Sequence, residues 1–208
     1  MGIPERRERE KQAVRDRILD AAREIFAAEG YDGVTMRRIA EAIEYSPTTI
    51  YLHFPDKETL VRELCHGDFL SLAKAFQKLA LEPDPIERLR GIGRAYFDFA
   101  SDHPTHYRLM FMTPRGHDMS NDDALGKGNP EEDAYAFLKA TVAEAIAMKR
   151  FRPGLRDADL IAQAAWAGTH GVISLHIAKG QDPWVDWRSA KETAALVIDS
   201  MIDGLTKG

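Results

Sequence analysis

The sequence predicts an all-α protein, and two features of its pattern support this prediction. Apolar residues recur at three- and four-residue spacing along most of the chain, as they do on the buried face of a helix. Stop and start signals such as Gly30, Ser46-Pro47 and Pro85 separate these stretches. No convincing strand pattern, repeat or low-complexity tract occurs. About nine helices are expected, over residues 11–29, 36–43, 47–53, 57–81, 85–101, 105–112, 130–149, 157–179 and 187–205.

Two segments are not expected to be helical. Residues 1–10 are rich in charge and are predicted to be disordered or frayed. Residues 113–129 are rich in Gly, Asp and Asn, which favour turns, and are predicted to form a mobile loop.

Composition places the chain among ordinary soluble globular proteins. Its 208 residues are 44% apolar and 29% charged, which allows a substantial core. The one cysteine, Cys65, excludes an intrachain disulfide and makes a reducing cytoplasm the expected location. The charged start MGIPERRERE is not a signal peptide, and no apolar run approaches the length of a membrane span. No membrane association is therefore expected.

The most informative stretch is TMRRIAEAIEYSPTTIYLHFPDK, residues 35–57. Thr35 can cap a first short helix, whose apolar face carries Ile39 and Ile43. Ser46-Pro47 is the start signal of a second helix, because Pro at the first helical position loses no hydrogen bond. Two short helices joined by a tight turn predict a helix-turn-helix. In its DNA-binding form the second helix lies in the major groove.

The exposed face of the second helix suits such a role. Thr48 and Thr49 could contact base edges or phosphates, while Tyr51 and His53 could donate to phosphate oxygens. Lys57 opens the following helix, so a backbone phosphate could meet both its ammonium group and the positive helix end. The alternative is an ordinary corner between two helices.

The string G-x-T-x-x-x-IA-x-A-x-x-x-S-x-x-TIY-x-HF-x-x-K, from Gly33 to Lys57, closely resembles the DNA-binding region of the tetracycline-repressor (TetR-type) family of transcription regulators. One departure is Glu44, where the family usually has Gly in the turn. The resemblance implies that Thr35 touches phosphate and that Arg37 reaches into the major groove. The expected DNA-binding residues are Thr35, Arg37, Ser46, Pro47, Thr48, Thr49, Tyr51, His53 and Lys57.

Charge argues mildly against a nucleic-acid partner. The chain has a net charge of −5, and residues 1–60 contain 10 basic and 12 acidic residues. Affinity would have to come from local clusters, namely the basic residues of the N-terminal arm and the pair Arg37-Arg38, since only charges near phosphates release counterions. The arm also contains several glutamates, so it is equally consistent with the solvated start of a helix.

Aromatic and Met residues are concentrated between Phe69 and Phe137. The simplest interpretation of each is core packing, but in the TetR-type family these helices surround a ligand cavity, and Met-rich walls adapt to varied small molecules. The resemblance therefore implies a ligand site, in which His170 could donate a hydrogen bond. The expected ligand-binding residues are Phe69, Phe76, Tyr96, Phe97, Tyr107, Met110, Phe111, Phe137, Trp166 and His170.

The eighth predicted helix resembles that of a TetR-type subfamily with a Trp-His-Gly signature, here Trp166 and His170-Gly171. The family resemblance further implies a homodimer in which the last two helices pair with those of a second subunit. The surface expected to form it comprises Ala165, Gly168, Thr169, Gly171, Ala194, Leu196, Val197, Met201 and Leu205.

The predicted organisation is a three-helix helix-turn-helix domain over residues 1–55 and a helical ligand-binding and dimerisation domain over residues 56–208. The predicted function is that of a dimeric, sequence-specific transcription regulator. It would be a repressor released from a palindromic operator by a small apolar or aromatic ligand. The alternative is a helical ligand-binding protein, or an activator.

No catalytic residue, cofactor or metal is expected. The sequence lacks a G-x-S-x-G elbow, a phosphate loop and a nucleotide fingerprint, so an enzyme is not predicted. The histidine pairs His103 and His106, and His170 and His176, match no metal-binding motif and are expected to be capping or core residues.

Overall fold

A computed structural model of the chain describes residues 2–113 and 126–206. All regular elements in this part are helical, which confirms the predicted all-α class and the nine α-helices; the one addition is a π-helix, Arg108–Met112. The α-helices are α1 (Ile3–Gly33), α2 (Met36–Ala42), α3 (Pro47–His53), α4 (Lys57–Gln77), α5 (Pro85–Asp102), α6 (Pro104–Tyr107), α7 (Ala134–Ala147), α8 (Ala158–Lys179) and α9 (Ala190–Leu205). None of the described helices is both long and apolar enough to cross a membrane.

The prediction that residues 1–10 are disordered or frayed is wrong, because α1 begins at Ile3. The carboxylate of Glu5 accepts a hydrogen bond from the backbone N–H of Gly2 and so caps the helix. Arg6 and Glu10 form an ion pair of 2.7 Å one turn apart, which also supports the helix. Gly30, the predicted stop of the first helix, has φ of 76° and interrupts α1 there.

Two helix starts differ from the prediction because capping residues override the apolar pattern. Helix α7 begins at Ala134, where Asp133 accepts two backbone hydrogen bonds, and α9 begins at Ala190, where Ser189 is the cap. Helix α4 ends at Gln77, and residues 78–81 form turns. Most of the predicted loop, residues 114–125, lies outside the described residues.

The chain divides into two compact units. The N-terminal unit comprises Met1–Asp68 and Arg108–Asp118, and the C-terminal unit comprises Phe69–Tyr107 and Met119–Gly208. The predicted domain boundary between residues 55 and 56 stays a prediction.

In the N-terminal unit, α1, α2 and α3 pack around apolar side chains that are almost fully buried. They include Ile18, Ala22, Ile39, Ile50, Phe54 and Leu60. Two ion pairs join α1 to the part of α4 in this unit: Arg15 to Glu63 at 3.0 Å and Arg23 to the buried Asp68 at 2.9 Å.

The C-terminal unit is built on α5, α7, α8 and α9, which pack against one another. Two glycines allow close helix approach: a side chain at Gly93 of α5 would meet Ile198 of α9, and one at Gly168 of α8 would meet Met201 of α9, each at 3.0 Å. Arg90 of α5 forms ion pairs with Asp199 and Asp203 of α9. These contacts hold α9 against the rest of the unit.

Candidate nucleic-acid interface and ligand site

The helix-turn-helix forms through the local signals visible in the sequence. The hydroxyl of Thr35 caps α2 by accepting from the backbone N–H of Arg38 at 3.2 Å. The hydroxyl of Ser46 caps α3 by accepting from the N–H of Thr49, also at 3.2 Å. Ile39 on α2 and Ile50 on α3 are fully buried, so the opposite faces of both helices point outward. Thr35 and Ser46 therefore have structural roles in this fold, besides the DNA contacts predicted for them.

Glu44 occupies the turn in a left-handed conformation, with φ of 59°. The N–H of Tyr45 donates to the carbonyl of Ala40, five residues back, and so closes the end of α2. Because Gly has no Cβ, it takes this conformation at little steric cost, whereas another residue pays about 1–2 kcal/mol. The turn thus keeps a geometry that favours Gly although the sequence supplies Glu.

Most predicted DNA-binding residues are exposed: Thr35, Arg37, Ser46, Pro47, Thr48 and Tyr51, with Thr49 half-buried. Arg37 is paired with Glu41 at 2.9 Å on the solvent side of α2, so a phosphate could replace a solvated carboxylate. Leu52 is not among the residues predicted from the sequence, yet it is 78% exposed. It lies four residues after Thr48, on the same face of α3, and this spacing makes it a further candidate for a DNA contact.

His53 and Lys57 are held more deeply than the other predicted residues. His53 is half-buried, and its Nδ1 is buried without a hydrogen-bond partner among the described residues. Burial lowers the pKa of His53, and the nearby charges of Arg15 and Lys11 lower it further. The ammonium of Lys57 donates to the carbonyl oxygen of Tyr31 and lies 3.8 Å from the centroid of its ring. Burial lowers the pKa of Lys57 as well.

In the C-terminal unit, four of the predicted ligand-binding residues form one hydrogen-bonded cluster, which joins α5, α6 and α8. The indole N–H of Trp166 donates to the hydroxyl of Tyr96 at 2.8 Å. The hydroxyls of Tyr96 and Tyr107 lie 2.9 Å apart, and the Tyr107 hydroxyl contacts Nδ1 of His170. We call Tyr96, Tyr107, Trp166 and His170 the polar cluster.

One donor in the polar cluster is fixed by chemistry: the indole of Trp166 can only donate, so the hydroxyl of Tyr96 accepts from it. Between Tyr96 and Tyr107, and between Tyr107 and Nδ1 of His170, either partner can be the donor, and the tautomer of His170 decides the order. Burial favours the neutral form of these groups, because it raises the pKa of Tyr96 to about 12, raises that of Tyr107 and lowers that of His170. The cluster is therefore polar but uncharged at neutral pH.

The remaining predicted ligand-binding residues lie at several places in the fold. In the C-terminal unit, the ring centroids of Phe76 on α4 and Phe137 on α7 are 6.3 Å apart, Phe97 on α5 is buried, and Phe69 on α4 is half-buried. Met110 and Phe111 lie on the π-helix, which belongs to the N-terminal unit. No group of three or more potential metal ligands occurs within residues 2–113 and 126–206.

Helix α8 has an exposed face of small and apolar residues at helical spacing: Leu160, Ala164, Ala167, Gly171 and Leu175. On α9, Leu196 is 69% exposed, and Ser200 and Gly204 follow on the same side. Three residues predicted to form a dimer surface instead serve packing within the chain. Gly168 meets Met201 of α9, and both Thr169 and Ala194 are buried.

Two protein families match the chain in consecutive regions. Residues 18–64 match the family described as bacterial regulatory proteins, tetR family. Residues 89–201, more than half of the chain, match the family described as tetracyclin repressor-like, C-terminal domain. The more specific resemblance to a Trp-His-Gly subfamily stays a prediction.

Two curated relatives are similar over part of their length. The HTH-type transcriptional regulator TcmR of Streptomyces glaucescens is 30% identical over 121 residues, covering 53% of this chain and 54% of TcmR. The HTH-type transcriptional repressor AcnR of Corynebacterium glutamicum is 38% identical over 78 residues, covering 38% of this chain and 39% of AcnR. The chain thus spans about half or less of the curated relatives it matches.

Solved structures match nearly the whole chain. A protein of unknown function from Rhodococcus sp. RHA1 is 25% identical with a TM-score of 0.73, covering 93% of this chain and 95% of the other. The TetR family transcriptional regulator PfmR from Thermus thermophilus is 22% identical with a TM-score of 0.69, covering 91% of this chain and 99% of PfmR. The second likeness shows the shared fold. With both family regions in order along the sequence, this chain belongs to the TetR family of bacterial regulatory proteins.

Proposed function

We propose that the regulator acts as a homodimer that represses transcription from a palindromic operator and leaves the DNA when it binds a small apolar or aromatic ligand. The observation that carries the dimer is the exposed face of α8 and α9, in which Leu160, Leu175 and Leu196 are each more than half exposed. Small residues between them would let a second helix pair approach closely. Since each chain has one recognition helix, two copies would read two half-sites.

The ligand part of the proposal rests on the aromatic composition of the C-terminal unit and on the polar cluster. Tyr96, Tyr107 and His170 are held neutral by burial, which suits a ligand without a formal charge. Repression is proposed partly because AcnR is named a repressor. To release the operator, the ligand must bind the DNA-incompetent state more tightly, typically by about 1–3 kcal/mol.

The dimer is tested with Leu175→Glu and Leu196→Glu in sedimentation and operator-binding experiments on the DNA upstream of the protein's own gene. Both variants are expected to fold and to become monomeric. They should no longer retard the operator DNA specifically in a gel-shift experiment at physiological salt. Leu81→Glu is the matched control, because Leu81 is 92% exposed but lies between α4 and α5. A monomeric wild type, or a wild type without specific DNA binding, would contradict the proposal. DNA binding with increased transcription would instead support an activator.

A further inference from the structure

A surface cleft of about 390 Å³ lies in the C-terminal unit between the end of α7 and the start of α8. We call it the α7–α8 cleft. Its apolar lining includes Ile146, Phe151 and Leu155, and its cationic lining comprises Lys149, Arg152 and Arg156; no acidic residue lines it. None of the residues assigned above to DNA, to the ligand site or to the dimer belongs to it.

The floor of the cleft is held by contacts with the last residues of α9 and with Thr206. Phe151 is 4% exposed and forms a bridge with Thr206. The backbone N–H of Arg152 donates to the carbonyl of Leu205 at 3.0 Å, and its Nε donates to that of Thr206 at 3.1 Å. The connection between α7 and α8 is therefore anchored to the end of α9 at Phe151 and Arg152.

Lys149 stands where the backbone favours glycine. Its φ is 55°, and the next N–H, that of Arg150, donates to the carbonyl of Ala145 to close α7. A lysine in this left-handed position is sterically unfavourable, and such outliers cluster where a side chain has a further role. Here the side chain adds a positive charge to the cleft.

The charges of the cleft contrast with those around it. Arg150, which does not line the cleft, is neutralised by Asp84 at 2.9 Å. In the part of the chain that the structure describes, no carboxylate lies within ion-pair distance of Lys149, Arg152 or Arg156. Three cationic residues thus line one cleft, without an acidic partner among residues 2–113 and 126–206, on a protein whose net charge is −5.

We propose that the α7–α8 cleft binds a small organic anion, a carboxylate or phosphate monoester with a short apolar chain or ring. Arginine donors match the oxygens of such groups, and Lys149 adds a point charge. The apolar floor would bury the chain or ring, and the cleft volume is in the range of small-molecule sites. The site is separate from the polar cluster and would add a second input to the regulator.

The test is a titration of the full-length protein followed by amide NMR, with hexanoate, hexyl phosphate, hexan-1-ol and hexylammonium as probes. The expected result is saturable shifts at residues 146–156 for at least one anion, with hexan-1-ol binding roughly fivefold more weakly or worse and hexylammonium not at all. The two anions distinguish a carboxylate from a phosphate site. Equal binding of hexanoate, hexyl phosphate and hexan-1-ol would overturn the proposal.

The binding of the anion is then compared between a double variant, Lys149→Gly combined with Arg156→Gln, and a control variant, Arg188→Gln. Glycine suits the backbone at position 149, so the double variant is expected to fold normally, yet to bind the anion at least roughly fivefold more weakly. Arg188→Gln removes an exposed charge that pairs with Asp186, away from the cleft, and should bind like the wild type. Unchanged binding in the double variant, or shifts centred on Trp166 and His170 in place of the cleft, would refute the α7–α8 cleft as the site. Neither result bears on dimerisation or DNA binding.

Discussion

The ammonium of Lys57 contacts both the ring and the carbonyl oxygen of Tyr31, and so ties the first residue of α4 to the segment after the break in α1. The sequence predicts the same ammonium as a partner for a DNA phosphate. The two roles have different measurable effects. A contact inside the N-terminal unit affects the stability of the fold, whereas a phosphate contact affects the salt dependence of DNA binding.

Replacing Lys57 with Met keeps most of the apolar stem and removes the charge. We expect the free energy of unfolding to fall by about 1 kcal/mol, from the lost cation–π contact and hydrogen bond, as measured by urea denaturation. If Lys57 also binds phosphate, the slope of log K against log salt concentration should become shallower by about 0.9. A reduced stability with an unchanged slope would show that Lys57 is structural only.

Glu44→Gly should stabilise the protein, because Glu44 has φ of 59°. Removing the left-handed strain, about 1–2 kcal/mol, outweighs the extra chain entropy of glycine, about 0.5–1 kcal/mol. A net gain of about 0.5–1 kcal/mol is expected in denaturant unfolding. Glu24→Gly, at an exposed position inside α1, is the control and should cost about 1 kcal/mol. Loss of stability in both variants would show that the side chain of Glu44 makes a favourable contact.

Features that depend on residues close together in the sequence are predicted well, and features that depend on distant residues are not. Helices α2 and α3 could be placed from caps and spacing alone, because Thr35 and Ser46 bond to backbone groups three residues away. The start of α1 is not predicted, because a dense run of charged residues favours disorder unless the charges pair, as Arg6 and Glu10 do here. Contacts such as that of Tyr107 with His170, which are 63 residues apart, leave no local signal.

Leu52→Ala should separate a DNA contact from a structural role. Since the side chain is 78% exposed, stability should change by no more than about 0.5 kcal/mol. If Leu52 meets a thymine methyl group in the major groove, operator affinity should nevertheless fall, by up to about 1–3 kcal/mol, in fluorescence anisotropy. Ile50→Ala, at the neighbouring buried position, should instead unfold the domain more easily by about 2–5 kcal/mol. Wild-type operator affinity in Leu52→Ala would exclude the contact.

Tyr107→Phe removes the central hydroxyl of the polar cluster. Tyr107 is fully buried, and its loss takes a partner from both Tyr96 and His170. Because buried polar groups without partners are costly, stability should fall by about 1–3 kcal/mol, measured by urea denaturation. Phe99→Leu, a conservative change at a buried aromatic residue whose contacts do not include the cluster's hydrogen bonds, controls for repacking and should cost less. Equal losses would mean that the hydrogen bonds contribute little.

His170 should make stability depend on pH below neutrality. Burial lowers its pKa below 6.5 in the folded protein, so between the two values the unfolded chain binds more protons. The stability of the folded protein that depends on neutral His170 is therefore fully present above about pH 6.5, and it is lost as the pH falls through the pKa of His170 in the folded protein. The pKa of His53 is also lowered, so each histidine must be replaced separately.

In unfolding experiments from about pH 8 to pH 5, the wild type should lose stability on acidification, and His170→Gln should lose less of it. His53→Gln should remove a different part of the same decline, because His53 lies in the other compact unit. The double variant should then show the flattest profile. The neighbours of His170 in the polar cluster, Tyr96, Tyr107 and Trp166, do not change charge in this range, so they leave the imidazole as the titrating group. An equally steep decline in His170→Gln would show that protonation of this ring is not coupled to folding.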